Sequence, residues 1–263
     1  MTQTDKMLSR KEGRVGYMTF NNPERRNAVS LDMWDAASRI MDDFAKDDDI
    51  RAVVITGAGG KAFVSGADIS RFEKERSDEE AQARYNKIVA AANERIYNFP
   101  KPTIAMIRGY CLGGGLGLAV CCDLRIASDN SRFGIPAAKL GVGYGFPGLK
   151  RLSDLVGPSF TKEIFYTARQ FDAAEALAMG LINRALPEGE LEAYVKGYTD
   201  TIAANAPLTV SAVKFIANQA VADEDKRDLA RCTDMVNRCF ASKDFIEGRR
   251  AFMEKRKPAF TGT

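Results

Sequence analysis

Residues 61–69 read KAFVSGADI and residues 109–117 read GYCLGGGLG, and each of these glycine-centred stretches follows a run of apolar residues. The two apolar runs, 52–56 and 103–107, are predicted to be strands buried in a sheet that is covered on both faces. The second stretch leads directly into a helix predicted over residues 113–122. A helix N-terminus presents unpaired N–H groups, so two such bends side by side can direct two N–H groups at one oxygen atom, as an oxyanion hole does. The competing interpretation is that the glycines only permit a close approach of backbone segments.

Neither stretch has the pattern of a nucleotide-binding loop. No Gly-Lys-Ser/Thr follows the glycines, as a Walker A loop requires. No acidic residue stands at a strand end about twenty residues further on, as the dinucleotide fingerprint requires. The glycines therefore point to chemistry other than nucleotide hydrolysis or hydride transfer.

Strand and helix patterns continue on both sides of these stretches and predict an α/β fold. Further strands are predicted at 16–20 and 123–127, an amphipathic helix at 33–44 and a long helix at 78–98. Asp172 and Glu175 have the spacing of a capping box at the start of a helix over 173–178. The remaining helices are predicted at 207–221, 223–240 and 243–255. We therefore predict an α/β core over residues 1–200 and a helical C-terminal region over residues 201–263.

Composition excludes several classes of function. The 263 residues include no histidine, which excludes Ser–His and Cys–His catalysis and histidine-dependent metal sites. The 38 basic and 35 acidic residues give a net charge of +3, which is too balanced to indicate nucleic acid binding. The five cysteines form no CxxC pair, so they are read as thiols in a reducing compartment. Residues 1–13 are too polar for a signal peptide. Glycines interrupt the most apolar run, at 102–120, which argues against a membrane span. We expect a cytoplasmic enzyme that does not bind membranes.

The two stretches resemble the signature of the crotonase (enoyl-CoA hydratase/isomerase) superfamily. The resemblance runs nearly from end to end and includes residues 21–28, 173–183 and 251–257. It implies a crotonase-type ββα spiral core with a helical C-terminal trimerisation region, and a homotrimer or a hexamer built as a dimer of trimers. It also implies an acyl-CoA thioester as substrate, with no separate cofactor because coenzyme A is part of the substrate.

The resemblance implies roles for particular residues. The backbone amides of Ala67 and Gly114 would bind the thioester oxygen and stabilise the enolate that forms when negative charge moves onto it. Contacts to coenzyme A are implied for Arg25, Arg26, Ala62, Ala67, Asp68, Ile69, Phe252 and Lys255. The acyl pocket is predicted to include Phe72, Tyr110, Gly117, Ala137 and Phe146.

The sequence departs from the hydratase pattern at the residues that handle water. Hydratases of this family carry one glutamate three residues after the second oxyanion glycine and another after a proline in the next loop. Those positions are Gly117 and Ala137 here, and neither can carry a proton. The position of the nucleophilic aspartate of the dehalogenase branch is Gly145.

Tyr144 is the polar residue that remains near the predicted site. Residues 141–145 partly resemble a loop of methylmalonyl-CoA decarboxylases, in which a tyrosine follows a similar Gly-Val-X, and residues 162–168 are similar to that branch too. A tyrosine hydroxyl can orient a carboxylate or guide a proton. The sequence thus leaves open a hydratase-like lyase, a methylmalonyl-type decarboxylase using Tyr144, an enoyl-CoA isomerase and a catalytically silent acyl-CoA-binding protein.

Overall fold

The computed structural model describes residues 4–71, 75 and 77–263, and it has a larger and a smaller β-sheet. The larger sheet has the spatial order β1-β2-β3-β5-β7-β10. Its strands are β1 (Met7–Glu12), β2 (Val15–Phe20), β3 (Ala52–Gly57), β5 (Thr103–Ile107), β7 (Leu124–Ser128) and β10 (Arg184–Leu186). Strand β1 pairs antiparallel with β2, and every other neighbouring pair is parallel.

The smaller sheet contains the first part of each glycine-centred stretch. Its strands, in spatial order, are β4 (Ala62–Val64), β6 (Tyr110–Leu112), β8 (Arg132–Gly134) and β9 (Phe171–Asp172). Strands β4, β6 and β8 run parallel, and β9 is antiparallel to β8. Because parallel strands end at the same edge, the residues that follow β4 lie beside those that follow β6.

Helices cover the sheets and make up most of the second half of the chain. They are α1 (Leu31–Lys46), α2 (Glu79–Tyr97), α3 (Gly114–Ala119), α4 (Ala137–Leu140), α5 (Phe146–Thr167), α6 (Ala173–Ala178), α7 (Leu191–Ala204), α8 (Pro207–Ala220), α9 (Leu229–Ala241) and α10 (Lys243–Met253). The capping box of Asp172 and Glu175 is confirmed at the start of α6. Helix α5 changes direction at Gly157, whose φ is 73°, directly before Pro158.

Helix α3 is shorter than the sequence predicted. The guanidinium of the buried Arg125 donates hydrogen bonds to the carbonyls of Ala119 (3.4 Å), Cys122 (2.6 Å) and Leu181 (2.7 Å). The bonds to Ala119 and Cys122 satisfy carbonyls at and just after the end of α3, which have no partner within the helix. The predicted helix over 223–240 likewise begins later, at Leu229, because residues 224–226 form a 3-10 turn.

The inner strands β3 and β5 of the larger sheet are buried on both faces, as their near-continuous apolar runs predicted, whereas the edge strand β1 is mostly exposed. In β3, Val53 and Ile55 pack into one hydrophobic cluster together with Trp34 and Phe44 of α1. Val54, which points to the opposite face, packs into a second cluster beside α7. The mixed α/β class with C-terminal helices is confirmed, while the division at residue 200 stays a prediction. None of the described helices is both long enough and apolar enough to cross a membrane.

Candidate active site

The loops that follow β4 and β6 touch at their glycines. Gly66 and Gly113 have φ values of 109° and 53°, which L side chains rarely adopt. A Cβ atom placed on Gly66 would lie 3.6 Å from the amide nitrogen of Gly114, and one placed on Gly114 would lie 4.0 Å from the amide nitrogen of Ala67. The two predicted oxyanion donors therefore belong to adjoining backbone segments.

Both amides are without an acceptor among the described residues. Among the residues that the structure describes, no hydrogen bond is donated by the Ala67 or the Gly114 N–H. Their neighbours are occupied, since the Asp68 N–H donates to the Val29 carbonyl (3.0 Å) and the Gly113 N–H to the Gly134 carbonyl (2.8 Å). Gly114 is also the first residue of α3, where the helix dipole favours negative charge. Two unpaired donors in adjoining loops can stabilise charge on one bound oxygen atom.

The glycines of the second stretch also permit close packing of backbone. A Cβ atom on Gly115 would lie 2.0 Å from the carbonyl oxygen of Val64, and one on Gly109 would lie 2.1 Å from that of Lys61. Helix α3 therefore rests directly on β4. Both interpretations of the glycines apply, because close packing at Gly115 is what brings the Gly114 amide beside the first loop.

Asp68 is buried and holds Arg25 beside the first loop. Its carboxylate accepts hydrogen bonds from the Arg25 guanidinium (3.1 Å) and from the hydroxyl (2.6 Å) and amide (3.2 Å) of Ser70. Burial opposes ionisation of this carboxyl, but the bonds from Ser70 and the charge of Arg25 outweigh it and hold its pKa below the usual value. Asp68 is thus an ionised anchor for the loop rather than a proton donor.

The two positions that lack glutamates face different surroundings. A Cβ atom on Gly117 would meet no atom within 4 Å, so the space above this turn of α3 is open. Ala137 is only 6% exposed and starts α4 directly after Pro136, whose Cδ lies 3.9 Å from a Cβ atom placed on Gly113. Both positions border the glycine loops.

Tyr144 and Phe146 occupy different environments although they are close in sequence. Tyr144 is half-buried and packs edge-on against Phe165, with ring centroids 5.0 Å apart. Phe146, predicted for the acyl pocket, is 70% exposed at the first turn of α5. Only Tyr144 of the two packs against the core.

The remaining residues predicted to contact coenzyme A or the acyl group do not gather on one surface. Arg26 and Tyr110 lie at the opposite edge of the smaller sheet, where the guanidinium stands 5.1 Å from the ring centroid. Phe252, 83% exposed, and Lys255 lie at the end of α10, which packs against α9. Ala62 is the buried first residue of β4, Ile69 starts a 3-10 turn, and Phe72 lies outside the described residues.

Asn27 is a site residue that the sequence reasoning missed. Its fully buried side chain accepts a hydrogen bond from the Asn22 amide (2.9 Å) and donates to the carbonyls of Ala58 (2.9 Å) and Ala62 (2.7 Å). Its φ of 56° is a conformation that asparagine tolerates better than most residues. The signal was its place inside residues 21–28. Asn27 fixes the start of β4 and so the position of the first oxyanion loop.

The thiols near the second loop are not poised for nucleophilic attack. Cys111, Cys121 and Cys122 are buried, and burial raises the pKa of each, that of Cys121 to about 11. A thiol with so high a pKa carries almost no thiolate at neutral pH. Within the described part of the chain, no cluster of three or more acidic or cysteine side chains is placed to hold a metal ion.

Comparisons with known proteins identify the family. The family model described as "Enoyl-CoA hydratase/isomerase" matches residues 10–263. A short-chain-enoyl-CoA hydratase from Clostridium acetobutylicum is 36% identical over 255 residues, which is 97% of each chain. A crotonyl-CoA hydratase from Syntrophomonas wolfei is 36% identical over 260 residues, 97% of this chain and 98% of that one.

Solved structures agree as well. The crystal structure of an enoyl-CoA hydratase/carnithine racemase from Magnetospirillum magneticum superposes with a TM-score of 0.94 at 36% identity, covering 99% of this chain and 97% of that one. The match of a family model over nearly the whole chain, together with relatives above 30% identity, confirms the resemblance noted in the two glycine-centred stretches. The chain therefore belongs to the enoyl-CoA hydratase/isomerase family of the crotonase superfamily.

Proposed function

We propose that this protein binds an acyl-CoA thioester and stabilises its enolate between the Ala67 and Gly114 amides. The observation that carries the proposal is the pair of unpaired N–H groups in adjoining loops. Charge that moves onto the thioester oxygen is stabilised more strongly than the neutral carbonyl, so such donors lower the barrier rather than merely binding the substrate. Coenzyme A enters as part of the substrate, and no further cofactor is proposed.

The reaction that we propose first is that of a hydratase-like lyase acting on an enoyl-CoA. Support comes from relatives that are named as hydratases. With glycine at 117 and alanine at 137, no carboxylate stands at either position to hold and activate the water. We therefore expect slow hydration compared with an enzyme that holds its water between two glutamates.

Decarboxylation of a methylmalonyl-type thioester is the second candidate. Loss of CO₂ forms the enolate directly and needs no general base, which suits a site without the two glutamates. The half-buried hydroxyphenyl group of Tyr144 favours this candidate, because such a group can orient a carboxylate or deliver a proton to the enolate carbon.

Turnover of three substrates distinguishes these reactions. The protein is incubated with crotonyl-CoA, a 3-enoyl-CoA and methylmalonyl-CoA, and products are followed by mass spectrometry. We expect slow hydration of crotonyl-CoA. Release of CO₂ from methylmalonyl-CoA that falls about 10²-fold or more in Tyr144→Phe would instead assign decarboxylation. Tight acyl-CoA binding without turnover would identify a catalytically silent protein, and shift of the 3-enoyl double bond alone would identify an isomerase.

A gain-of-function variant tests the role of the missing carboxylates in the same assay. Gly117→Glu with Ala137→Glu supplies both, and the open space at Gly117 admits the first side chain. We expect the double variant to hydrate crotonyl-CoA about 10²-fold faster than the unmodified protein. Gly117→Gln with Ala137→Gln is the control, since it adds similar volume without a base. Hydration at full hydratase rates by the unmodified protein would contradict the premise that these glutamates matter.

We also propose that the C-terminal helices assemble the chain into a trimer, or into a hexamer made of two trimers. No residue of the fully described helix α9 is buried, although Leu229 and Phe240 are 65% and 62% exposed. In α10, Ile246 is 65% exposed and Met253 is 80% exposed. Large exposed apolar side chains concentrated on two neighbouring helices are typical of surfaces that bind other proteins.

Sedimentation equilibrium measures the assembly directly. The unmodified protein is expected to sediment as a trimer or hexamer, and Ile246→Asp with Phe240→Asp is expected to dissociate it because charges would be buried without partners. Leu8→Asp is the matched control, since Leu8 is 48% exposed on strand β1, away from these helices. A monomer in the unmodified protein at micromolar concentration would refute the proposed assembly.

A further inference from the structure

A cationic depression lies at the edge of the smaller sheet opposite the glycine loops. It is formed where β4, β6 and β8 begin, whereas the Ala67 and Gly114 amides follow the ends of β4 and β6. Strands β4 and β6 each have three residues, so the two edges are about 10 Å apart at about 3.3 Å per residue. The depression has a volume of about 580 Å³ and opens to solvent.

Three cationic side chains line this depression: Arg26, Lys61 and Arg132. All three are exposed, and within the described chain none of them lies in an ion pair. Among the described lining residues the one acid is Glu188, which accepts a hydrogen bond from Asn130 (2.8 Å). Three cations and one carboxylate leave the depression with an excess of positive charge.

The backbone supplies further donors at the same place. Gly59 and Gly60, in the turn between β3 and β4, have φ values of 79° and 70°. Neither amide donates a hydrogen bond to any residue in the described ranges. A Cβ atom on Gly59 would lie 2.7 Å from the Cβ of Pro23, so the turn also packs too closely for a larger residue. Successive N–H groups in a turn of this kind form a concave surface that suits an anion.

Two consecutive arginines point to different surfaces, one to the first glycine loop and the other to this depression. Arg25 bonds to Asp68 beside the first glycine loop, whereas Arg26 turns to the opposite side and covers the ring of Tyr110. The left-handed φ of 51° at Arg26 accompanies this change of direction. The charges of the two arginines thus serve different surfaces.

We propose that this depression binds a phosphate or diphosphate group of a ligand other than the acyl-CoA at the glycine loops. Guanidinium groups bind two oxygens of a phosphate at once, and the lysine adds a point charge. Amides of the glycine turn complete the set of donors. The Glu188 carboxylate lies beside this turn, with Oε1 3.9 Å from a Cβ atom placed on Gly60, so its charge weakens anion binding.

Calorimetric titration with inorganic pyrophosphate at low ionic strength tests the proposal. One saturable site is expected, and Lys61→Ala and Arg132→Ala are each expected to weaken binding about tenfold or more. Glu188→Gln is expected to tighten binding several-fold, a gain that damage to the fold cannot produce. Lys87→Ala is the matched control, because Lys87 is an exposed lysine of α2 outside the depression. This variant is expected to bind pyrophosphate as tightly as the unmodified protein does.

A repeat of the titration with acetyl-CoA present, and another with 3′,5′-ADP in place of pyrophosphate, identifies the source of the phosphate. Pyrophosphate affinity that is unchanged by saturating acetyl-CoA supports a separate site. Displacement of pyrophosphate by acetyl-CoA or by 3′,5′-ADP overturns the separate site, because the nucleotide end of the substrate would then fill it. The proposal is overturned altogether if pyrophosphate shows no saturable binding, or if Lys87→Ala weakens its affinity as much as the variants in the depression do. Neither result depends on whether the glycine loops catalyse a reaction.

Discussion

The Gly114→Pro variant is expected to turn over its acyl-CoA substrate about 10²–10³-fold more slowly than the unmodified protein. Proline removes the N–H that we assign to the thioester oxygen. It should not break α3, because Gly114 is the first residue of the helix, where proline is well accommodated. The measurement is kcat/KM on whichever substrate the three-substrate assay identifies.

Gly114→Ala is the control for this experiment because it keeps the N–H. A Cβ atom on Gly114 would make only ordinary contacts, 3.9 Å from Gly66 Cα and 4.0 Å from the Ala67 nitrogen. The alanine variant should therefore retain far more activity than the proline variant, with both showing similar thermal unfolding midpoints. Equal activity of Gly114→Pro and Gly114→Ala would show that this amide is not an oxyanion donor.

The Gly115→Ala variant is expected to lose about 3 kcal/mol or more of its free energy of unfolding. Its Cβ atom would lie 2.0 Å from the Val64 carbonyl oxygen and 2.8 Å from the carbonyl carbon. Relief would require α3 to move off the buried strand β4, since the obstructing atoms belong to the backbone. Such a movement also separates the two oxyanion amides, so activity should fall together with stability.

The Gly117→Ala variant, two residues further along the same helix, is expected to change the free energy of unfolding in the opposite direction. A Cβ atom there meets no atom within 4 Å. Alanine is favoured over glycine in a helix interior by about 0.5–1 kcal/mol, so this variant should be slightly stabilised. Urea denaturation of the two variants measures the difference. Similar stabilities for Gly115→Ala and Gly117→Ala would contradict the direct packing of α3 on β4.

Much of the larger sheet was predictable because its signals are local. Strand β5 was predicted with its observed bounds from its apolar run, and the capping box at Asp172 from a spacing of three residues. The smaller sheet was not foreseen, because strands of two or three residues are too short to show a period of two. The family of the chain was recognised from its glycine motifs.

Which predicted site residues lie together depends on whether each residue precedes or follows its strand. Gly114 follows β6 while Tyr110 begins it, so the two residues lie at opposite edges although they are four positions apart. Arg25 and Arg26 were grouped by sequence, but the left-handed backbone of Arg26 itself directs the two side chains to different surfaces. Contacts of this kind depend on the folded backbone and leave no pattern in the composition.

The carboxamide of Asn27 joins three backbone segments, at residues 22, 58 and 62, through three hydrogen bonds. Deamidation, the slow chemical ageing of asparagine, would replace its NH₂ group with a carboxylate oxygen that accepts hydrogen bonds but cannot donate them. The Ala58 and Ala62 carbonyls would then face a negative charge in the protein interior. Long-term storage of this protein thus depends on the chemical integrity of one fully buried side chain.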